Sequence, residues 1–458
     1  MKNKGMKTFI VIWLGQLFSM IGSGLIGFAL AVWIYEQTGQ ATPFALTALF
    51  SVLPRILLSP LAGAVSDRRN RKAIMIISDS LSGVVTLVTA FLLLTNNMQI
   101  WMVYVISFMG AVFASFQRPA YSASIVMLVP KAQLTRANSM VQMGEAIETI
   151  LTPILAGALF ATIGMRGIIW IDVITYVVAM GILIFVHIPQ PENELQVKSE
   201  KRSIFKDITF GWHYLAERRG LLWLLFYFAS VNFFMNISAV MIGPLVLSFA
   251  APTSLGAAQT IMGVGMLTGS MVMSVWGGPK QKRVRMVIIA IALASLGFIV
   301  TGLRPSLLTI GIGLFILTFF IPMGSGPSTA LFASKVAPEV QGRVFATRSM
   351  ISQSIMPLAF VLSGLLADNV FSPLMEEGGR LANTFVADIL GTGPGRGVGL
   401  MLVCSGILLL IITGAAYASP RIRNIETEIP DAVADKQPLP QSGVTPNEMK
   451  KPSPVVNS

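Results

Sequence analysis

Ten residues between two long apolar stretches decide how this chain is read: Gly63-Ala64-Val65-Ser66-Asp67-Arg68-Arg69-Asn70-Arg71-Lys72. A small residue closes the first stretch, one acid follows, and four bases then fall within five positions. The flanking stretches are long enough to cross a bilayer, for which about 20 residues suffice. A short basic loop between two such stretches stays on the cytoplasmic face by the positive-inside rule.

The composition agrees with that loop. The 458 residues are 54% hydrophobic and 12% charged, with a mean hydropathy of +0.72. A soluble domain carries about 25% charge, so most of this chain has lipid as its solvent. The net charge of +12 could suit nucleic acid, but the bases cluster between apolar spans, which excludes that partner. A single cysteine, Cys404, allows no intramolecular disulfide and suggests no metal site. The basic N-terminus, Met1–Lys7, leads into an apolar run too long for a signal-peptide core of about 7–15 residues, so it is the first span.

Twelve segments qualify as membrane helices: Thr8–Tyr35, Pro43–Ser66, Ala73–Thr95, Ile100–Val129, Asn138–Ile163, Gly167–Ile188, Leu221–Phe249, Leu255–Gly278, Met286–Leu303, Pro305–Ser334, Ser349–Ala367 and Gly397–Ser419. Of the 33 Lys and Arg, Arg55 and Arg118 fall within spans, and only Arg166, Arg304, Arg380 and Arg396 fall in loops of one side. The remaining 27 lie on the other side, which puts both termini in the cytoplasm. The predicted fold is an all-α membrane protein: a six-helix bundle over 1–188, a cytoplasmic linker over 189–220 and a second six-helix bundle over 221–419. An extended outer loop spans 368–396, with a Gly-rich turn at Gly391–Gly397. Residues 420–458 are polar and Pro-rich and read as a disordered cytoplasmic tail.

The halves repeat one another. Pro119 and Pro130 lie eleven apart near the end of span 4, as do Pro327 and Pro338 near the end of span 10, and Gly157 and Gly364 follow at nearly the same offset. The segment Trp276–Arg283 is a worn copy of the opening loop that lacks its acid. Two parallel repeats with a site near the midplane between them are a transporter layout.

Several motifs carry a family resemblance. The order Gly63-x-x-x-Asp67-Arg68-x-x-Arg71-Lys72 resembles the loop between helices 2 and 3 of major facilitator superfamily transporters. Ile12–Ser19, Pro119-Ala120-Tyr121, Leu128-Val129-Pro130, Ile171-Asp172-Val173 and Gly342-Arg343-Val344-Phe345 resemble the drug-exporter branch that includes macrolide efflux proteins, and siderophore exporters share much of this pattern. Asn70 stands where the family usually has Gly, and Thr152–Gly157 is a degenerate form of the span-5 pattern of drug–proton antiporters. The resemblance implies a monomeric multi-pass protein of the plasma membrane, without cofactor or bound metal, that exports an amphipathic small molecule by proton antiport. An uptake carrier or facilitator for a small polar or anionic solute is the alternative. It also implies a gate. Asp67 would face the positive N-terminal end of span 11, Gly63 would let spans 2 and 11 approach, and Arg68 and Arg71 would pair with acids when the cavity faces outward. Asp79, two turns into span 3, reads as a partner for Arg71 or another loop base.

Charged side chains within a bilayer face the bundle interior and need partners. Glu145 and Glu148, three apart, share a helix face. Two carboxylates so close in a low-dielectric site do not both ionise easily, which is what proton coupling requires. Arg118 lies at a matching depth on span 4, so an ion pair with one of them is expected; it would serve coupling or hold spans 4 and 5 together. Arg55, mid-span, reads as a contact for an anionic or polar substrate group or as a partner of a span-5 glutamate. Gln16, Asn232, Asn236 and Gln353 fall on spans 1, 7 and 11 and are candidates for the cavity or for bonds between helices. An enzyme is excluded by the lack of a nucleophile or ligand constellation: the two histidines, His187 and His213, sit at the edges of the central linker. A nucleotide-driven pump is excluded by the lack of a phosphate-binding glycine loop.

Overall fold

The computed structural model describes residues 4–186, 204–279 and 281–428. They fold into α-helices, because lipid offers no hydrogen bonds and a helix satisfies its own backbone. In chain order these are α1 (Lys4–Thr38), α2 (Ala41–Arg68), α3 (Arg71–Leu94), α4 (Ile100–Leu128), α5 (Leu134–Phe185), α6 (Ile204–Glu217), α7 (Arg219–Leu247), α8 (Pro252–Trp276), α9 (Arg283–Leu303), α10 (Leu307–Lys335), α11 (Pro338–Leu366), α12 (Ser372–Met375), α13 (Phe385–Leu390) and α14 (Arg396–Ala418). Among the described residues, eleven helical segments are long and apolar enough to cross a membrane. One of them holds α5, whose 52 residues are two helical runs meeting at Gly164. There φ is +64°, a left-handed conformation that glycine adopts without steric cost. The expected spans 5 and 6 are therefore two arms joined by a single turn.

Packing sorts the helices into two groups. Helix α1 lies on α5, α2 on α4, and α3 on both α4 and α5. In the second group α10 lies on α8 and α9, α14 on α9, and α11 on α7. The groups meet along α5–α8 and α2–α11. The two repeat glycines stand at these seams. A Cβ on Gly157 would lie 3.1 Å from Thr253 Cα, and a Cβ on Gly364 would lie 2.7 Å from Thr42 Cα. Each glycine thus lets one helix of a group press its backbone against the other group.

Beside Gly364 the α2–α11 seam is tied by a carboxylate. Asp368, in the π-helical turn that follows α11, accepts hydrogen bonds from the backbone N–H groups of Ala41 at 2.9 Å and Thr42 at 2.7 Å. It satisfies two donors that the first turn of α2 cannot pair internally. Gln40, at the N-cap of α2, makes no side-chain cap of its own.

Two expectations change. Span 11 begins at Pro338, not Ser349: a proline at the start of α11 presets the first turn, and three polar turns precede the apolar run. The tail from 420 is helical through 428, over Pro420–Arg423 and Ile425–Glu428. Ile425 is fully buried there, Glu426 accepts from Val284 N at 2.8 Å, and Lys335 Nζ donates to the Glu426 carbonyl at 2.7 Å. Residues 429–458 lie outside the described residues, as do 187–203, which include most of the first half of the linker; Ile204–Glu217 forms α6, which packs on α11.

Asp368→Ala should lower stability by about 1 kcal/mol, the usual worth of an N-cap, read as a drop of roughly 2–4 °C in the melting temperature of the purified protein. Gly364→Leu should hold α2 and α11 apart, so that spin labels at Gln40 and Asn369, placed in a Cys404→Ser background, report a longer distance than in the parent.

Candidate functional site

Each helix of the first group contributes one stripe to a shared cavity of about 430 Å³. From α1 come Gln16, Ser19, Met20, Ser23, Gly24 and Gly27; from α3 come Asp79, Ser82, Gly83 and Thr86. These spacings of three and four place them on one helical face. Arg55 of α2, Gln117 and Arg118 of α4, and Glu148 and Asp172 of α5 complete the charged wall. Arg55 directly follows Pro54 and Arg118 directly precedes Pro119. A proline inside a helix leaves the carbonyl four residues earlier without its usual donor, so both cations sit where the backbone itself is polar.

A polar chain crosses this wall. Gln117 Nε2 donates to Gln16 Oε1, and Gln16 Nε2 donates to Asp79 Oδ2 at 3.4 Å. Asp172, only 3% exposed, accepts from Thr86 Oγ1 at 2.9 Å and Ser23 Oγ at 3.5 Å. Arg55, Arg118, Glu145 and Glu148 lie within electrostatic reach of one another.

The expected ion pair between Arg118 and a glutamate is not formed. No oxygen of Glu145 or Glu148 comes within 4.0 Å of an arginine nitrogen; among the described residues the one such approach is Arg218–Glu217 at 3.8 Å. Arg118 and Glu148 instead line a common cavity, while Glu145 is not among its lining residues. Matching depth along two helices sets height but not azimuth. Asp79 is not a partner of Arg71 either: it faces the cavity and takes its hydrogen bond from Gln16, while Arg71 Nη1 donates to the Ala123 carbonyl at 2.9 Å.

The opening loop shows a capped turn. Asn70 Oδ1 accepts from Ala73 N at 3.1 Å, so the residue that replaces the family's glycine starts α3 as an N-cap. Lys72 Nζ donates to the carbonyls of Ile184 and Val186 at 2.9 and 2.7 Å, at the end of α5 where the helix dipole favours a cation. The side chains of Asp67 and Arg68 lie outside the described residues. Among the described residues, a Cβ on Gly63 would have no atom within 4 Å, so no close α2–α11 approach of the expected kind is described there. Such an approach occurs at the opposite end of the same two helices, at Gly364.

A second cavity of about 470 Å³ opens among α7, α8, α9, α10 and α11. Asn232 and Asn236 line it along the α7 stripe Phe228, Val231, Asn232, Met235, Asn236 and Ala239. Their amide nitrogens donate to the Phe228 and Asn232 carbonyls, both at 2.8 Å, which leaves their amide oxygens as acceptors. Gln353 does not join them: it is exposed, outside the lining of this cavity, and bonded to Ser349 Oγ at 2.8 Å. Sequence reasoning missed Arg348, which does line it, because the late start given to span 11 left this arginine in a loop. Pro338 was the signal that could have moved the helix start. Gln117, next to Arg118, was passed over for its neighbour.

The comparisons with known proteins agree with this architecture. A family model described as Major Facilitator Superfamily matches residues 12–360. Macrolide efflux protein A of Streptococcus pyogenes is 30% identical over 380 residues, covering 80% of this chain and 91% of that protein. The multidrug efflux pump Tap of Mycolicibacterium fortuitum is 22% identical over 380 residues, with the same coverage. Among solved structures, a bacterial homolog of the human lysosomal transporter Spinster superposes with a TM-score of 0.67 at 14% identity, over 91% of this chain and 96% of that one. The nucleoside transporter NupG gives 0.67 at 10% identity, over 89% and 99%. This family and fold are those of transporters, not enzymes, and the apolar helices make the chain a multi-pass protein of the cell membrane. The chain belongs to the Major Facilitator Superfamily.

Proposed function

We propose that this chain is a secondary exporter, acting as a monomer, that moves an amphipathic small molecule out of the cell against an inward flow of protons. The observation that carries the reading is the wall of the first cavity, where Asp79, Glu148 and Asp172 share one space with Arg55 and Arg118 and no direct ion pair locks them. A carboxylate at bilayer depth is costly unless neutralised. One that can be neutralised either by a proton or by a nearby arginine couples proton movement to the arrangement of helices around it. Outward direction is supported by the efflux relatives, whose names specify macrolides and multiple drugs.

Counting the two arms of α5 separately supports twelve crossings, and the 27-to-4 division of basic residues supports cytoplasmic termini. The bundles 1–188 and 221–419 are then the two bodies of a rocker switch. On this reading the seams at Gly364, Gly157 and Asp368 close the outer end, while Gly63 at the cytoplasmic end meets no atom among the described residues; this is the cytoplasm-facing state. Asp67 on the N-terminus of α11, with Arg68 and Arg71 on nearby acids, closes the cytoplasmic end in the opposite state.

Inside-out vesicles test this with a radiolabelled 14-membered macrolide. An acid interior should drive accumulation, and nigericin should abolish it; accumulation only with the gradient reversed would make the chain an uptake carrier. Glu148→Gln should lower the initial rate at least about tenfold, equivalent to roughly 1.4 kcal/mol. Glu145→Gln, outside the cavity lining, should keep about half the rate or more. Full coupled transport in a Glu148→Gln, Asp79→Asn double variant would remove the coupling role of this wall.

A further inference from the structure

The two cavities differ in charge, and the difference points to what the second one holds. In the first, two arginines face three carboxylates. In the second, Arg348 is the one charged side chain among the lining residues. Its Nη2 donates to Ser328 Oγ at 2.8 Å, and its guanidinium lies over the rings of Phe332 at 4.3 Å and Phe228 at 5.3 Å. Among the described residues, Ser328 is its one hydrogen-bond partner and no carboxylate oxygen lies within 4.0 Å. A guanidinium carries five N–H donors in a planar fork, so most of this fork has no protein acceptor. The aromatic faces steady the cation and fix the plane of the group, but they leave its edge to whatever enters.

The rest of the lining is apolar, with Met235, Met262, Leu317 and Phe320 among it. The volume falls in the range of small-molecule sites, which pair an apolar wall with a few placed polar groups. Methionines let such a wall adapt to different shapes.

We propose that Arg348 is the recognition group for a carboxylate or carbonyl oxygen on an otherwise apolar molecule, whose body lies against Phe228, Met235, Met262 and Phe320. The oxygen supplies the acceptor that the protein withholds, in the forked geometry that arginine favours. Arg55, read from sequence as a contact for an anionic or polar group or as a partner of a span-5 glutamate, shares its cavity with three carboxylates, whereas Arg348 shares its own with none. The assignment deepens the exporter reading and rests on it only for the fate of the bound molecule.

The test is binding by the full chain in lipid nanodiscs, corrected for empty discs, of three probes that share one apolar body: 11-(dansylamino)undecanoic acid, its methyl ester and the corresponding terminal amine. The parent protein should bind the acid and the ester at least tenfold more tightly than the amine. An acid favoured over the ester identifies a carboxylate as the preferred group; equal binding of the two identifies the carbonyl. Arg348→Gln should erase the preference and leave amine binding unchanged. Ser352→Glu is the second variant, one helical turn away in the same cavity; it supplies Arg348 with an internal carboxylate and leaves the arginine and its packing in place. It should weaken acid binding at least tenfold without lowering the melting temperature. Equal affinity for all three probes in the parent, or an equal loss for all three in either variant, would overturn the proposal and make Arg348 a structural pin of α7, α10 and α11. A preserved probe preference in a protein that exports nothing would overturn the exporter reading instead.

Discussion

Lipid takes no hydrogen bonds, and nearly every feature of this molecule answers to that fact. The backbone is helical wherever it crosses. Hydroxyls inside the bundle fold back onto carbonyls of their own helices, as Ser115 does on Ala111, Ser295 on Ile291, Thr301 on Gly297 and Thr413 on Leu409, with donor–acceptor distances of 2.6–2.7 Å. Charges that cannot be hidden in this way are gathered where no lipid reaches. Asp79, Glu148, Asp172, Arg55 and Arg118 share one cavity, and Arg348 has another. The cost of keeping ionisable groups at this depth is what singles them out from several hundred apolar residues.

The same solvent removes the hydrophobic drive between helices, so they associate by fit and by the few polar ties available. Small residues therefore stand where backbones meet. Gly157 against α8 and Gly364 against α2 occupy equivalent places in the repeat, and each makes one of the two seams between the helix groups. The Asp368 carboxylate on the first turn of α2 adds a tie that needs no basic side chain. The groups are joined chiefly along α5–α8 and α2–α11.

What could be read from the chain follows from which signals are local. Apolar length and the distribution of bases are local, and they gave the helices, the loops and the family. The start of α11 was obscured because its first three turns, from Pro338 to Arg348, are polar; a hydropathy reading hears only the apolar part of a helix. Azimuth is not local. Gln16 meets Asp79, and Thr86 and Ser23 meet Asp172, across helices whose rotation no single sequence states. For the same reason Glu145 and Glu148, three residues apart, part company: one lines the cavity and the other does not. Gly63 was chosen for its place in a motif, yet the glycine at work between the same two helices is Gly364, seen only once the helices are paired.

The turn at Gly164 carries a mechanical meaning. One arm of α5 bears Glu148 and the Gly157 seam with α8; the other bears Asp172, which is tethered to α1 and α3 through Ser23 and Thr86. One left-handed residue, with no intervening loop, joins the arms directly. Between the α8 seam and Asp172 with its hydroxyl partners, the dihedrals of Gly164 are the one break in helical backbone. The seam between the helix groups and the buried acid thus stand on one continuous stretch of backbone, with a single glycine between them.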